Sequence, residues 1–322
     1  MHNHEAVTKF SYEQFDLSDV KTYPLDARHN KAQAADFGRP VALGSSVGAL
    51  VDSLPNILAA ADFKKVVRAL VEAKRTEGGI LWGLGAHVVK TGVGPVLIQL
   101  MERGFVSAIA VNGAAVIHDF EIALVGATSE DVDAALGPGR FGMAEETGRL
   151  LNDAITKGIA DGLGFGQSVG RFLTATHPPF AHASVLAAAT RLAIPITVHV
   201  AIGTDIIHMH PAASGAALGE GSLRDFRFFV TNVSRLERGV YLNCGSAVIL
   251  PEVFLKAVAL SRNRGLALAQ LTTVNLDFMR MYRPSTNVVA RPTAGTGRGY
   301  SLVGHHEIMI PLLAAAVLEL DG

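Results

Sequence analysis

Residues 107–119 read Ser-Ala-Ile-Ala-Val-Asn-Gly-Ala-Ala-Val-Ile-His-Asp. An apolar run without alternation comes first, then an Asn-Gly turn signal, then an apolar stretch at helical spacing. Short unbroken apolar runs fit strands covered on both faces, and such strands belong to parallel sheets. The same unit recurs outward in both directions. Gly79–Leu84 (GILWGL) is an expected strand, after a helical pattern from Val47 to about Lys74 that is interrupted near Pro55. Ile196–Ala201, Gly239–Cys244 and Ala267–Val274 are the other expected strands. Between them lie helical stretches at Gly94–Arg103, Ile117–Leu124, Ala144–Gly158, Ser168–Leu173, Ala183–Leu192, Leu223–Leu236 and Pro251–Asn263, with Pro311–Leu320 last. This alternation predicts one α/β domain over residues 46–322, with a Rossmann-like, doubly wound, mostly parallel sheet. Residues 1–45 are polar and irregular and read as an N-terminal extension.

Composition narrows the function. Lys and Arg number 28 against 29 Asp and Glu, a net charge of −1, so a nucleic-acid partner is not expected. Charged residues are 18% and apolar residues 49% of the chain, and mean hydropathy is +0.31. An average protein carries about 25% charge, so part of this surface is expected to be buried in a homo-oligomer. No apolar run reaches the roughly 18 residues of a membrane helix. With no leader pattern at the start and a lone Cys244, a cytoplasmic location is the expectation.

In doubly wound sheets ligands lie at the carboxyl ends of the strands. There the chain places Gly83–Gly92, Asn112–Asp119, Gly203–Pro211, Gly245-Ser246 and Asn275–Asp277. The first loop suits close approach to a phosphate, although it matches neither G-x-G-x-x-G nor the P-loop; a plain tight turn is the alternative. His118 beside Asp119 suits a general base with an orienting carboxylate, or a satisfied His and a capping Asp. Asp205, His208 and His210 have ligand chemistry for zinc or iron, on a weak spacing signal. The glycine-rich loop around Gly297 and Arg298, with Tyr300, suits closure over an anion, or a mobile surface loop. His305-His306-Glu307 reads as a helix start with Glu favourably placed in the dipole.

The block Gly85–Asp131, with GAHVVKTG and VNGAAVIHDFEIALVGATSE, resembles the deoxyhypusine synthase family. FGMAEETG (141–148), IPITVHVAIGTD (194–205), YLNCGSAVIL (241–250) and IPLLAAAV (310–317) continue the resemblance over most of the chain after about residue 45. It implies a single large NAD-binding domain and a homotetramer with sites at subunit interfaces. It also implies oxidation of spermidine followed by aminobutyl transfer through a lysine imine. Gly85, Ala86, His87, Lys90 and Thr91 match the family's first cofactor turn. Asn112, Gly113 and Ala114 match its second, and Asp205 and Asp277 match cofactor-site aspartates.

The departures from the family are chemical. Where it carries a Trp-Gly-Lys segment, residues 290–308 read ARPTAGTGRGYSLVGHHEI, without lysine. His118 stands at a family glutamate and His210 at an aspartate. Two charges 4 Å apart at an effective dielectric of 20 attract by about 4 kcal/mol, so imidazoles there weaken the hold on a polycation. The sequence therefore predicts an NAD-dependent enzyme on a small substrate. Its proton acceptor is His118 (beside Asp119) or His210, its cofactor residues are those of the strand-end loops, and Gly297, Arg298 and Tyr300 are its substrate donors. Genuine deoxyhypusine or homospermidine synthase-type transfer, a non-catalytic binding protein and a metal-dependent hydrolase are the alternatives, with Lys90 and Lys256 as substitute imine lysines.

Overall fold

The computed structural model describes Phe10 and residues 12–322. Six strands form one parallel sheet: β1 (Ile80–Leu84), β2 (Ala108–Asn112), β3 (Ile196–His199), β4 (Val240–Cys244), β5 (Thr272–Asp277) and β6 (Arg298–Val303). The first helices are α1 (Val47–Ser53), α2 (Leu58–Arg75), α3 (Ala86–Lys90), α4 (Gly94–Glu102), α5 (Gly113–Val125) and α6 (Val132–Leu136). Then come α7 (Glu145–Ala160), α8 (Phe165–Thr176), α9 (Val185–Arg191), α10 (Gly215–Val233) and α11 (Ile249–Asn263). A short α12 (Tyr282–Pro284) runs into a π-helical stretch, Ser285–Ala290, and α13 (His306–Asp321) is last.

The strand order is β3-β2-β1-β4-β5-β6. The chain winds outward from β1 in one direction and then returns to β4 on its other side, so the topological switch point lies between β1 and β4. Successive strand residues point to opposite faces, and both faces are covered. Trp82, Leu84, Val111 and Val198 pack into the larger core with α2, α4, α5, α8, α9 and α13. Leu81, Ala110 and Tyr241 pack with Phe229 of α10 and Phe254 of α11 on the other. Tyr241 lies flat on Phe254 with ring centres 3.8 Å apart, and the Trp82 Nε1–H donates to the Phe105 carbonyl at 3.0 Å. Five of the expected strands are thus present and the doubly wound class stands.

Three local readings need correction. The second half of the stretch expected to be a glycine-rich loop opens β6, an edge strand with Arg298 paired to Thr272 and Leu302 to Leu276. Its residues are mostly half-buried or exposed, so it lacks the apolar run that marks a covered strand. β5 starts at Thr272, five residues later than Ala267, because Leu268 sits in the left-handed region (φ 49°). α10 begins at Gly215 rather than Leu223. Glycines at 219 and 221 hide its first turns in the sequence, yet a side chain at 221 would press into Ile159 and Phe165. Among the described residues, no helix is long and apolar enough to cross a membrane.

Candidate functional site

The carboxyl edge of the sheet brings most of the expected residues together. At the switch point, Gly85 donates its N–H to the Cys244 carbonyl (2.8 Å), which ties the end of β1 to the end of β4. A Cβ on Gly85 would overlap the Gly245 carbonyl, so only glycine permits this approach. Ala86 and His87 then open α3, and Lys90 and Thr91 close it.

His87 meets a cluster that the sequence reading did not single out. Its ring centre lies 5.9 Å from His306 and 5.7 Å from Phe278. His306 is fully buried at the start of α13, with Nε2 3.8 Å from Asp277 Oδ1 and neither ring nitrogen hydrogen-bonded. Burial lowers its pKa, opposed by the Asp277 charge and reinforced by His87. Phe278 is half-exposed and lies parallel to His305 at 6.1 Å, which leaves a flat apolar surface beside the switch point. The signal in the sequence was only His305-His306 after a glycine, and its helix-start reading overlooked that the chain returns here to the end of β5.

The ends of β2 and β3 form the second part. Asn112 caps α5 by accepting the Ala115 N–H at 3.1 Å. Gly113 lies so close to Asp205 that a side chain would displace the carboxylate. Burial raises the Asp205 pKa, opposed first by the charge of His208 and then by a hydrogen bond from the Ala114 N–H. His208 Nδ1 accepts the N–H of Gly203 (3.1 Å) and of Asp205 (3.3 Å), so the ring carries its proton on Nε2, 4.0 Å from Asp205 Oδ2. His210 turns away to Glu145 at 3.3 Å. No three His, Cys, Asp or Glu side chains are placed to hold a metal ion among the described residues.

His118 and Asp119 separate. The Thr128 hydroxyl donates its hydrogen to Glu121 Oε2 (2.5 Å) and lies 2.7 Å from His118 Nδ1. Having no second hydrogen, it accepts from Nδ1–H, which leaves the lone pair of the neutral ring on Nε2. Thr147, at the start of α7, donates to the other Glu121 oxygen at 3.0 Å. Burial lowers the His118 pKa, opposed by Glu121 and reinforced by Lys90, so the ring is neutral near pH 7. Asp119 corrects the expected pairing. Its carboxylate is completely buried and accepts from Ser184 Oγ (2.5 Å), Val185 N–H (2.7 Å) and Leu186 N–H (3.1 Å), so it holds the start of α9 and never faces His118.

Gly297, Arg298 and Tyr300 also require correction as substrate donors of this edge. Gly297 and Arg298 lie at the amino end of β6, level with Thr272, and Tyr300 is level with Val274. Arg298 is thus about 17 Å from the carboxyl end of its strand, and Tyr300 about 10 Å.

The strand ends carry polar and aromatic groups that a cofactor could engage. Glycines at 85 and 113 let the Gly245 backbone and the Asp205 carboxylate close in at the strand ends, Phe278 offers a ring face, and Asp205 Oδ2 and both His306 nitrogens are buried polar atoms without partners. Ligand groups commonly satisfy such atoms.

Comparison with known proteins agrees with the fold. Residues 64–143 match the model of the Rossmann-fold C-terminal domain of arginine dihydrolase ArgZ-like proteins. A comparison with curated protein sequences gave no match. A candidate LOR/SDH protein from Methanococcus maripaludis S2 superposes with a TM-score of 0.54 at 19% identity, over 83% of this chain and 71% of that one. AgrE, solved with ornithine and NAD+, gives 0.53 at 17% identity, over 80% of this chain but only 33% of its own. A candidate deoxyhypusine synthase from Entamoeba histolytica gives 0.50 at 11% identity, over 86% and 95%. The chain thus shares a Rossmann fold with the LOR/SDH, AgrE and deoxyhypusine synthase-like structures.

Proposed function

We propose that this chain is an NAD-dependent enzyme acting on a small amine or amino-acid substrate, with His118 as proton acceptor. The observation that carries the reading is the Glu121–Thr128–His118 chain, which leaves the Nε2 lone pair of a neutral imidazole unused on α5, the helix that starts where β2 ends. AgrE, a third of which this chain matches, was solved as a ternary complex with ornithine and NAD+, which supports the class of cofactor and substrate.

Gly85, Gly113 and Phe278 would hold the cofactor across the ends of β1 and β2. Bound NAD supplies a hydride acceptor. His118 takes the proton released when a C–H bond next to an amine is oxidised, and Glu121, through Thr128, fixes the ring and stabilises the imidazolium. His306 and Asp277 form a buried ionisable pair beside His87 that tunes the field at the switch point. The family's lysine imine has no counterpart in β6. Lys90, whose charge reaches His118, is the lysine we assign to this chemistry should an imine form. The working form is a homo-oligomer, in accord with the exposed apolar side chains of the N-terminal arm.

Calorimetric titration with NAD+, together with NADH absorbance on adding ornithine or spermidine, tests the reading. One NAD+ is expected per chain, and His118→Ala should retain binding while losing turnover. Absence of NAD+ binding and of any co-purified nucleotide would overturn it. An adduct trapped on Lys90 by borohydride would instead assign lysine-imine transfer.

A further inference from the structure

The amino edge of the sheet, opposite the candidate site, holds a cleft of about 830 Å³. Its walls include Lys65, Arg68 and Arg75 of α2, Arg238 before β4, and Arg298 at the start of β6. Glu72 is the one acidic residue lining it. Five cations against one anion contrasts with a whole-chain charge of −1, so the positive charge is concentrated here.

Little of it is neutralised. Arg75 pairs with Glu72, and Lys65 pairs with Asp62 at 3.0 Å while lying 5.8 Å from the centre of the Tyr300 ring. Arg68, Arg238 and Arg298 form no ion pair and no side-chain hydrogen bond among the described residues. The neighbouring carboxylates are engaged elsewhere. Glu237 accepts the N–H groups of Ala269 and Gln270, and Asp321 pairs with Lys74. Like charges facing one cleft disfavour each other, and an anionic ligand reverses the sign of that interaction. Guanidinium groups match phosphate oxygens in pairs. The volume is that of a small-molecule site.

We propose that this cleft binds a small organic polyphosphate, with Arg68, Arg238 and Arg298 holding the phosphoryl groups and the Tyr300 side bordering the organic part. The assignment is independent of the dinucleotide reading at the other edge.

ATP and inorganic tripolyphosphate are the probes, titrated calorimetrically into the full chain at low salt. Both should bind one per chain, more weakly as salt rises. In Arg238→Ser/Arg298→Ser the affinity should fall about a hundredfold, taking roughly tenfold for each charge-assisted contact. These side chains are exposed, so the variant should melt like the wild type without ligand. ATP should raise the melting temperature of the wild type alone. NAD+ binding should be unchanged in the variant, so a failure here is distinguishable from a failure of the dinucleotide reading. The proposal is overturned if neither probe binds at millimolar concentration, if the variant binds as tightly as wild type, or if a single-stranded oligonucleotide binds far more tightly than ATP.

Discussion

His306 Nε2 lies 3.8 Å from Asp277 Oδ1 on an imidazole that retains no exposed surface. Burial holds this ring below the ordinary histidine pKa, the Asp277 charge pulls it up, and His87 pushes it down. The two neighbours therefore have opposite effects. Asp277→Asn should lower the His306 pKa further, and His87→Ala should raise it. NMR titration of the His306 ring protons reads both. Equal shifts of the same sign would show that neither neighbour acts through charge.

Gly85 and Gly113 differ in what a methyl group would strike. At Gly85 it meets the Gly245 backbone, and at Gly113 the Asp205 carboxylate. Backbone in a joined strand-end pair cannot yield, whereas a carboxylate can rotate. Gly85→Ala should therefore cost about 2–4 kcal/mol of stability, and Gly113→Ala no more than about 1–2 kcal/mol. Gly113→Ala should nevertheless weaken NAD+ binding, because the moved carboxylate enters the crevice. Denaturant unfolding and calorimetry give the two orders. A costlier Gly113→Ala would contradict the geometry.

Asp119 accepts three hydrogen bonds at the start of α9. Removing it strands the Val185 and Leu186 N–H groups in the interior. Asp119→Ala should cost about 2–4 kcal/mol. Asp119→Asn should fall between, since its amide oxygen can still accept. NAD+ affinity per folded chain should not change in either, as judged by calorimetry on the folded fraction. A loss of binding without a loss of stability would return Asp119 to the site.

The contrast between His118 and Asp119 shows what the sequence could carry. Strands β1 to β4 were legible because each is a covered apolar run, and the strand-end loops followed from the parallel order alone. β6 was not legible, since an edge strand half open to solvent has no such run, and the mistaken loop then carried Arg298 to the wrong edge. Asp119 beside His118 looked like a pair, but neighbours on a helix point about 100° apart. The true partners, Thr128 and Glu121, are set by the turn after α5. His306 and Asp277 are 29 positions apart and meet only because β5 and β6 lie side by side.

His199 lies buried at the end of β3, its Nε2 3.1 Å from Thr197 Oγ1. Burial pushes its pKa down to about 3. An unfolded histidine titrates near 6.5, so below that pH the unfolded chain takes up a proton that the folded chain refuses. The contribution is present above pH 6.5 and is lost as pH falls towards 3, by about 1.4 kcal/mol per unit. Asp119 and Asp225, raised by burial to about 6 and about 7, act with the opposite sign over part of this range. A comparison with His199→Gln isolates the histidine. The variant's stability relative to wild type should improve steadily as pH drops from 6.5. A constant difference would mean that His199 titrates normally.

Between Phe10 and Leu43 the chain carries apolar side chains that it does not bury. Phe15 is 84% exposed, Tyr23 67%, Leu25 68% and Phe37 62%. Burying one such side chain is worth about 1.5–3 kcal/mol, so an arm that leaves them in water forgoes a large stabilisation unless another surface covers them. The low charge share of the sequence points the same way. We propose that a second copy of this chain supplies such a surface, in the tetramer that the sequence resemblance implies. Light scattering on the full chain should give four copies, and removal of residues 1–43 should give a smaller species with an unchanged circular dichroism spectrum. A monomeric full chain, or an assembly unaffected by the deletion, would place the cover for these side chains elsewhere.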